Sequence, residues 1–175
     1  MASTYLTRTP SGAGNQKTYT FSCWVKRSAI STGVINGLFV GQNTSATEIT
    51  GFRFSTSDTI EFGTFSGSWD WQLVTNRVFR DTNAWYHIVF AVDTTQATSS
   101  NRAKLYINGV QETSFSTETY PSLNFDTDVN TTNLHVVGAA IFTNVIEHLD
   151  GSMAHVHFTD GTAYDADTFG ETDAT

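Results

Sequence analysis

Two tryptophans flank an aspartate in the segment Ser66-Gly67-Ser68-Trp69-Asp70-Trp71-Gln72. Indole faces stack on the apolar side of a sugar ring, and polar neighbours bind its hydroxyls. Exposed indoles in a Gly/Ser-rich loop are costly without a use. Trp69, Asp70 and Trp71 are therefore the candidate glycan-binding residues. A second segment, Asp126-Thr127-Asp128-Val129-Asn130, sets three oxygen ligands at alternate positions. Asp126, Asp128 and Asn130 are candidate ligands for a calcium ion on a loop rim. The segment does not continue as an EF-hand: Thr131 stands where glycine is needed and Val137 where the bidentate Glu belongs. His155-Val156-His157 puts two imidazoles on one face of a strand, opposite Ala154, Val156 and Phe158, which are expected to be buried. Zinc needs a third ligand that the sequence does not suggest.

Catalytic patterns are missing. Retaining glycoside hydrolysis needs two carboxylates about 5 Å apart, which on one strand face means Glu-x-Asp-x-Glu or close to it. Glu147 and Asp150 are three apart, the wrong parity for one face, and Glu112, Glu118 and Glu171 are isolated. There is no nucleophile elbow, and Ser11-Gly12-Ala13-Gly14 lacks the strand–helix context of a phosphate loop. The single cysteine, Cys23, sits within Phe21-Ser22-Cys23-Trp24-Val25 and reads as a small buried hydrophobe. A non-enzymatic protein is expected.

These residues must be positioned by strands. Lys17 to Arg27 alternates, with Tyr19, Phe21, Cys23 and Val25 facing one way and Thr18, Thr20, Ser22, Trp24 and Lys26 the other. Trp85 to Asp93 is one long apolar run, and Lys104 to Val110 breaks on Asn108-Gly109, the strongest short hairpin signal. Trp24 and Trp85, lying in strands, are expected to be core. Further strands are expected at 5–8, 37–41, 52–55, 59–65, 72–80, 110–115, 134–141 and 147–159. Such short strands with turn residues between them make a two-sheet antiparallel β-sandwich. At most one short helical turn is expected, at Asp165 to Gly170 near the C-terminus. The region Ser116 to Asn133 is polar and poorly patterned, a length of loop that is usually functional or mobile.

At 175 residues the chain is expected to be one domain, residues 1–175, with a proper core. Charged residues make up only 15%, and the net charge is −8. An acidic surface repels phosphate backbones, which argues against nucleic acid as a partner. No run approaches about 18 apolar residues, so no membrane insertion is expected. Met1 to Arg8 has no apolar signal core, so a chain made in the cytoplasm without a signal peptide is expected.

Four segments carry a resemblance. They are Tyr5-Leu6-Thr7-Arg8-Thr9-Pro10, the strand Thr20-Phe21-Ser22-Cys23-Trp24-Val25-Lys26-Arg27, the pair Trp85 to Val89 with Tyr106 to Gly109, and Leu149-Asp150-Gly151 through Phe158. Together they resemble the laminin-G-like, concanavalin A-like jelly-roll modules of marine and cyanobacterial bacteriophage virions. The resemblance implies an all-β jelly roll serving as a non-enzymatic virion surface protein, either a capsid decoration or a tail-fibre module. It implies other virion proteins as partners, adhesion to a host-surface glycan, and a homo-oligomer, with a trimer expected for a fibre. The alternative is a free carbohydrate-binding lectin domain, with or without calcium. His155 stands where such modules often carry an acidic residue in the closing strand.

Overall fold

The structure is a computed structural model, and it describes residues 4–30, 33–44, 47–142 and 145–170. Fourteen strands are numbered in chain order: β1 (Leu6–Arg8), β2 (Thr18–Arg27), β3 (Asn36–Gln42), β4 (Ile49–Phe54), β5 (Thr59–Phe65), β6 (Trp69–Val78), β7 (Tyr86–Asp93), β8 (Ala103–Ile107), β9 (Val110–Gln111), β10 (Phe115–Thr119), β11 (His135–Val137), β12 (Ala139–Phe142), β13 (Val145–His148) and β14 (Gly151–Asp160). One sheet has seven strands in the order β1-β11-β3-β4-β5-β6-β10, and the other has five in the order β14-β2-β7-β8-β9. Every pairing between them is antiparallel, as expected for a sandwich. Single 3-10 turns stand at Ser99–Asn101 and Ala166–Thr168. The second matches the expected turn, and the first lies in the connection between β7 and β8.

Alternation sorts the core as read from the sequence. Tyr19, Phe21, Cys23 and Val25 of β2 are fully buried, together with Phe52, Phe54 and Phe62 of the larger sheet. Phe52 stacks on Phe90 across the two sheets, with centroids 3.9 Å apart. Asn108 and Gly109 both take positive φ, the requirement of a two-residue hairpin between β8 and β9.

Three expected strands are each broken in two, the third being 147–159, which divides at Leu149-Asp150 between β13 and β14. The run 110–115 divides because β9 ends in the five-stranded sheet and β10 begins in the other. The crossing is anchored at buried Glu112, which accepts the N–H groups of Thr113 and Ser114 and pairs with Arg77. The run 134–141 divides at Gly138, where φ is +82°. Beyond that break, β12 and β13 form a hairpin laid over the outer face of the seven-stranded sheet, where Glu147 reaches Arg53 of β4. A small apolar cluster of Val40, Ile49, Val136 and Ala139 seals it there.

The segment 161–170 folds back across the outer face of the five-stranded sheet. Thr20 Oγ1 donates to the Thr162 carbonyl and accepts the Tyr164 N–H, each at 2.8 Å. The region 116–133 is only partly a loop: its start is β10, and Thr127, Asp128 and Val129 are buried against the end of the sandwich.

Candidate functional site

Strand β6 decides the fate of the Trp-Asp-Trp segment. Phe65 pairs with Trp69 and Thr64 with Trp71, so Asp70 is the extra residue of a β-bulge. The bulge turns the two indoles to opposite faces of the sheet, where strict alternation would have put them on one. Trp71 faces inward, is fully buried, and meets the ring of Phe62 edge-on at 4.6 Å. Its Nε1–H donates to Thr64 Oγ1 at 2.9 Å. Trp71 is therefore a core residue and not a stacking platform, which corrects the expectation from sequence. Trp69 faces outward, half-buried over Gly63, where a Cβ would stand 3.0 Å from the indole. The Arg53 guanidinium covers its ring at 5.4 Å. Arg53 in turn pairs with Glu61 at 3.1 Å and Glu147 at 3.6 Å, and Gln72 donates to Glu61. Asp70 is exposed and accepts a hydrogen bond from Ser66. The three residues do not form one site.

The three calcium candidates also separate. Asp126 lies 3.6 Å from Lys17. Asp128 is buried beside Thr50, which links through Thr64 to the Trp71 indole. Asn130 donates to the Asn15 carbonyl and to Asp160. Burial first, and then the charge of Glu48, push the Asp128 carboxyl up to about 7. Among the described residues, no three acidic, His or Cys side chains stand together as a metal site would require.

The two tryptophans read as core are open instead. Trp24 is 37% exposed and Trp85 41%. Trp24 occupies an outward position of β2, opposite His87 of β7 on one side and Ala154 of β14 on the other. Trp85 stands one residue before β7. Part of the signal was available in the sequence: Trp24 alternates with Thr20, Ser22 and Lys26 on the polar face of β2, of which Thr20 and Ser22 are covered and Trp24 is open.

The closing strand carries a second bulge. Ala154 pairs with Trp24 and His157 with Ser22, so two residues of β14, His155 and Val156, fit into one step of β2. His155 takes φ +47°. The expected burial is also corrected: Val156, within the bulge, and Phe158, which pairs with Phe21 on this edge strand, are each 40% exposed. With Trp24, Trp85 and Ala154, His155 lines an open cleft of about 440 Å³. A smaller recess of about 160 Å³ shares Trp24 and His155 as walls and adds Ser22, His87, His157 and Phe169.

The floor of the recess is fixed. His87 stacks on Trp24 with centroids 5.1 Å apart and planes at 19°. Its Nε2 lies 3.0 Å from Ser22 Oγ, and the His87 backbone N–H donates to Asn108 Oδ1. Burial, and then the neighbouring His157, hold the His87 imidazole below the usual histidine range, so it is neutral at pH 7. Among the described residues, Ser22 and His87 form a pair without a third orienting side chain. The arrangement offers a flat aromatic wall, a rigid polar floor and two exposed imidazoles.

Comparison with known proteins agrees with the architecture. A Bacteroides ovatus protein provisionally described as carbohydrate binding superposes with TM-score 0.59 at 18% identity, covering 88% of this chain and 40% of that one. This chain thus spans less than half the length of that relative. The CBM40 module of the Ruminococcus gnavus IT-sialidase, solved bound to α2,6 sialyllactose, superposes with TM-score 0.61 at 11% identity, covering 93% and 95% of the two chains. A variant of human galectin-16 gives TM-score 0.51 at 10% identity, covering 92% and 97%. Among curated proteins no sequence matches. The family model described as the concanavalin A-like lectin/glucanases superfamily matches residues 2–167, and the chain belongs to that family.

Proposed function

We propose that this protein is a non-catalytic carbohydrate-binding module and that its site is the Trp24–Trp85 cleft. The observation that carries the reading is a pair of half-open indoles on the outer face of the five-stranded sheet, around a cleft of about 440 Å³. An aromatic wall with a few fixed polar groups suits a ring that is apolar on one face and hydroxylated at its edges. The carbohydrate ligand of the sialidase module with the same fold supports the class of partner. The lack of any carboxylate lining the cleft or its recess supports a binding role over hydrolysis. It also makes binding independent of calcium, so EDTA is expected to leave it unchanged.

A glycan array followed by titration calorimetry with the captured oligosaccharide tests the reading. Trp24→Ala and Trp85→Ala should each weaken binding about 10- to 100-fold with stability within about 1 kcal/mol of the parent. Binding that survives the double variant sinks it. The finer setting, display on a phage particle beside other virion proteins, rests on the opening and closing motifs of the sequence. Imaging purified particles and locating the chain on shell or fibre tests that setting separately.

A further inference from the structure

The histidines beside the cleft carry information about charge on the ligand, given that the cleft is the glycan site. Three of the five histidines, His87, His155 and His157, line the small recess. The chain has 17 acidic residues against 9 basic ones, yet no carboxylate lines either the recess or the cleft. His155 takes a left-handed backbone conformation at a bulge, which is unfavourable for a residue with a side chain and re-aims its imidazole toward both spaces. His87 is held neutral by burial and then by His157, so charge on one imidazole is felt by the next.

We propose that the site takes an acidic glycan: the indoles hold one ring by its apolar face, and the recess walled by His155 and His157 receives a carboxylate or sulfate on the adjoining ring. The two spaces share Trp24 and His155, so one ligand can span both. The charged groups on the surrounding elements are few. Lys26 follows Trp24 on the outward row of β2, and Asp165 and Asp167 in the C-terminal segment act on Tyr106. Ser22, Trp24 and Phe169 complete the recess and carry no charge. An anion between the imidazoles stabilises their protonated forms. By linkage, binding takes up protons and tightens as pH falls through the histidine range.

The test is a glycan array in which uronate and sulfated oligosaccharides are each printed beside a neutral counterpart, methyl-esterified or desulfated. It is probed with the full chain at about pH 5.5 and about pH 7.5, on either side of the ordinary histidine range. The acidic member of a pair should be preferred, and calorimetry should find it about tenfold tighter at the lower pH, with the neutral member flat. The uronate and sulfate arms distinguish the two sources of charge. Replacing His155 and His157 together by Gln should remove the pH dependence of the acidic member, with His157→Gln alone reducing it, whereas Trp85→Ala should weaken binding of both members. Equal binding of acidic and neutral members at both pH values overturns the inference, as does a pH dependence that persists when His155 and His157 are both replaced by Gln. Neutral glycans captured without preference would leave the module reading standing. Capture of no glycan at all would end that reading too.

Discussion

Trp69 and Trp71 differ from Trp24 and Trp85 in how completely the protein itself satisfies them. The Trp71 indole is enclosed, with its N–H on Thr64 and its edge on Phe62. The Trp69 ring has a glycine on one side and a guanidinium over it, and that guanidinium is itself held by two carboxylates. Trp24 has one stacking partner, His87, and with Trp85 it opens onto a cleft. Spacing in the sequence does not separate these cases, because a tryptophan reports its role through what is left unfilled around it. The outer face of the seven-stranded sheet is closed by salt bridges and the β12–β13 hairpin, and the outer face of the five-stranded sheet is left partly open.

The sharpest way to break this contrast is Trp71→Ala. Removing an enclosed indole leaves a large cavity, and the expected loss is about 3–5 kcal/mol in urea unfolding. A loss below about 1 kcal/mol would mean the site collapses around the deletion or that Trp71 is more open than described.

Asp128 extends the enclosed region and gives it a pH signature. Its carboxyl is raised to about 7 by burial and then by Glu48, so the folded chain holds a proton that the unfolded chain releases near the ordinary aspartate value. Stability from this group is present in full below about pH 4 and is lost as pH rises through about 7. Asp128→Asn should therefore be more stable than the parent at about pH 8, by at most about 4 kcal/mol, and the gain should vanish at about pH 4. Equal stability of the two proteins at both pH values would mean that water reaches the carboxylate.

Trp24→Ala and Trp85→Ala should behave in the opposite manner. Half-open indoles contribute little to folding, so each variant should unfold within about 1 kcal/mol of the parent. Glycan affinity should fall about 10- to 100-fold, the scale of a lost stacking contact of about 1.5–3 kcal/mol. Loss of stability without loss of binding would exchange the roles of the two pairs.

The fold was legible because its signals are local and periodic. The alternation in β2 and the Asn108-Gly109 turn each state their own geometry. Two of the errors in the site, the Trp-Asp-Trp segment and the closing strand, share a cause, which is the bulge. One extra residue at Asp70 sends Trp71 inward and Trp69 outward, and a similar insertion at His155 and Val156 re-aims the histidines. A bulge depends on which residue the neighbouring strand presents, and period-two reading cannot supply that. The exposure of Trp24 was legible from its place next to Lys26 on the outward face of β2, because the face on which a residue falls, and not strand membership, decides its burial.

The smallest expected effect is also the most discriminating. Trp69→Ala removes an indole that meets Arg53, Gly63 and Phe65, of which Arg53 keeps its salt bridges. The cation–π contact at a partly exposed position is worth about 0.5–1 kcal/mol. Lost packing against Phe65 adds to it, so the variant should fall about 1–2 kcal/mol below the parent and bind glycan unchanged. The three arms should therefore separate: Trp71→Ala costs stability, Trp24→Ala costs binding, and Trp69→Ala costs a little of the first and none of the second. Glycan affinity that falls with Trp69→Ala would place the site on the seven-stranded sheet after all. In that case Arg53, Glu61 and Gln72 become the groups that meet the sugar hydroxyls, and their salt bridges become interactions a ligand must displace.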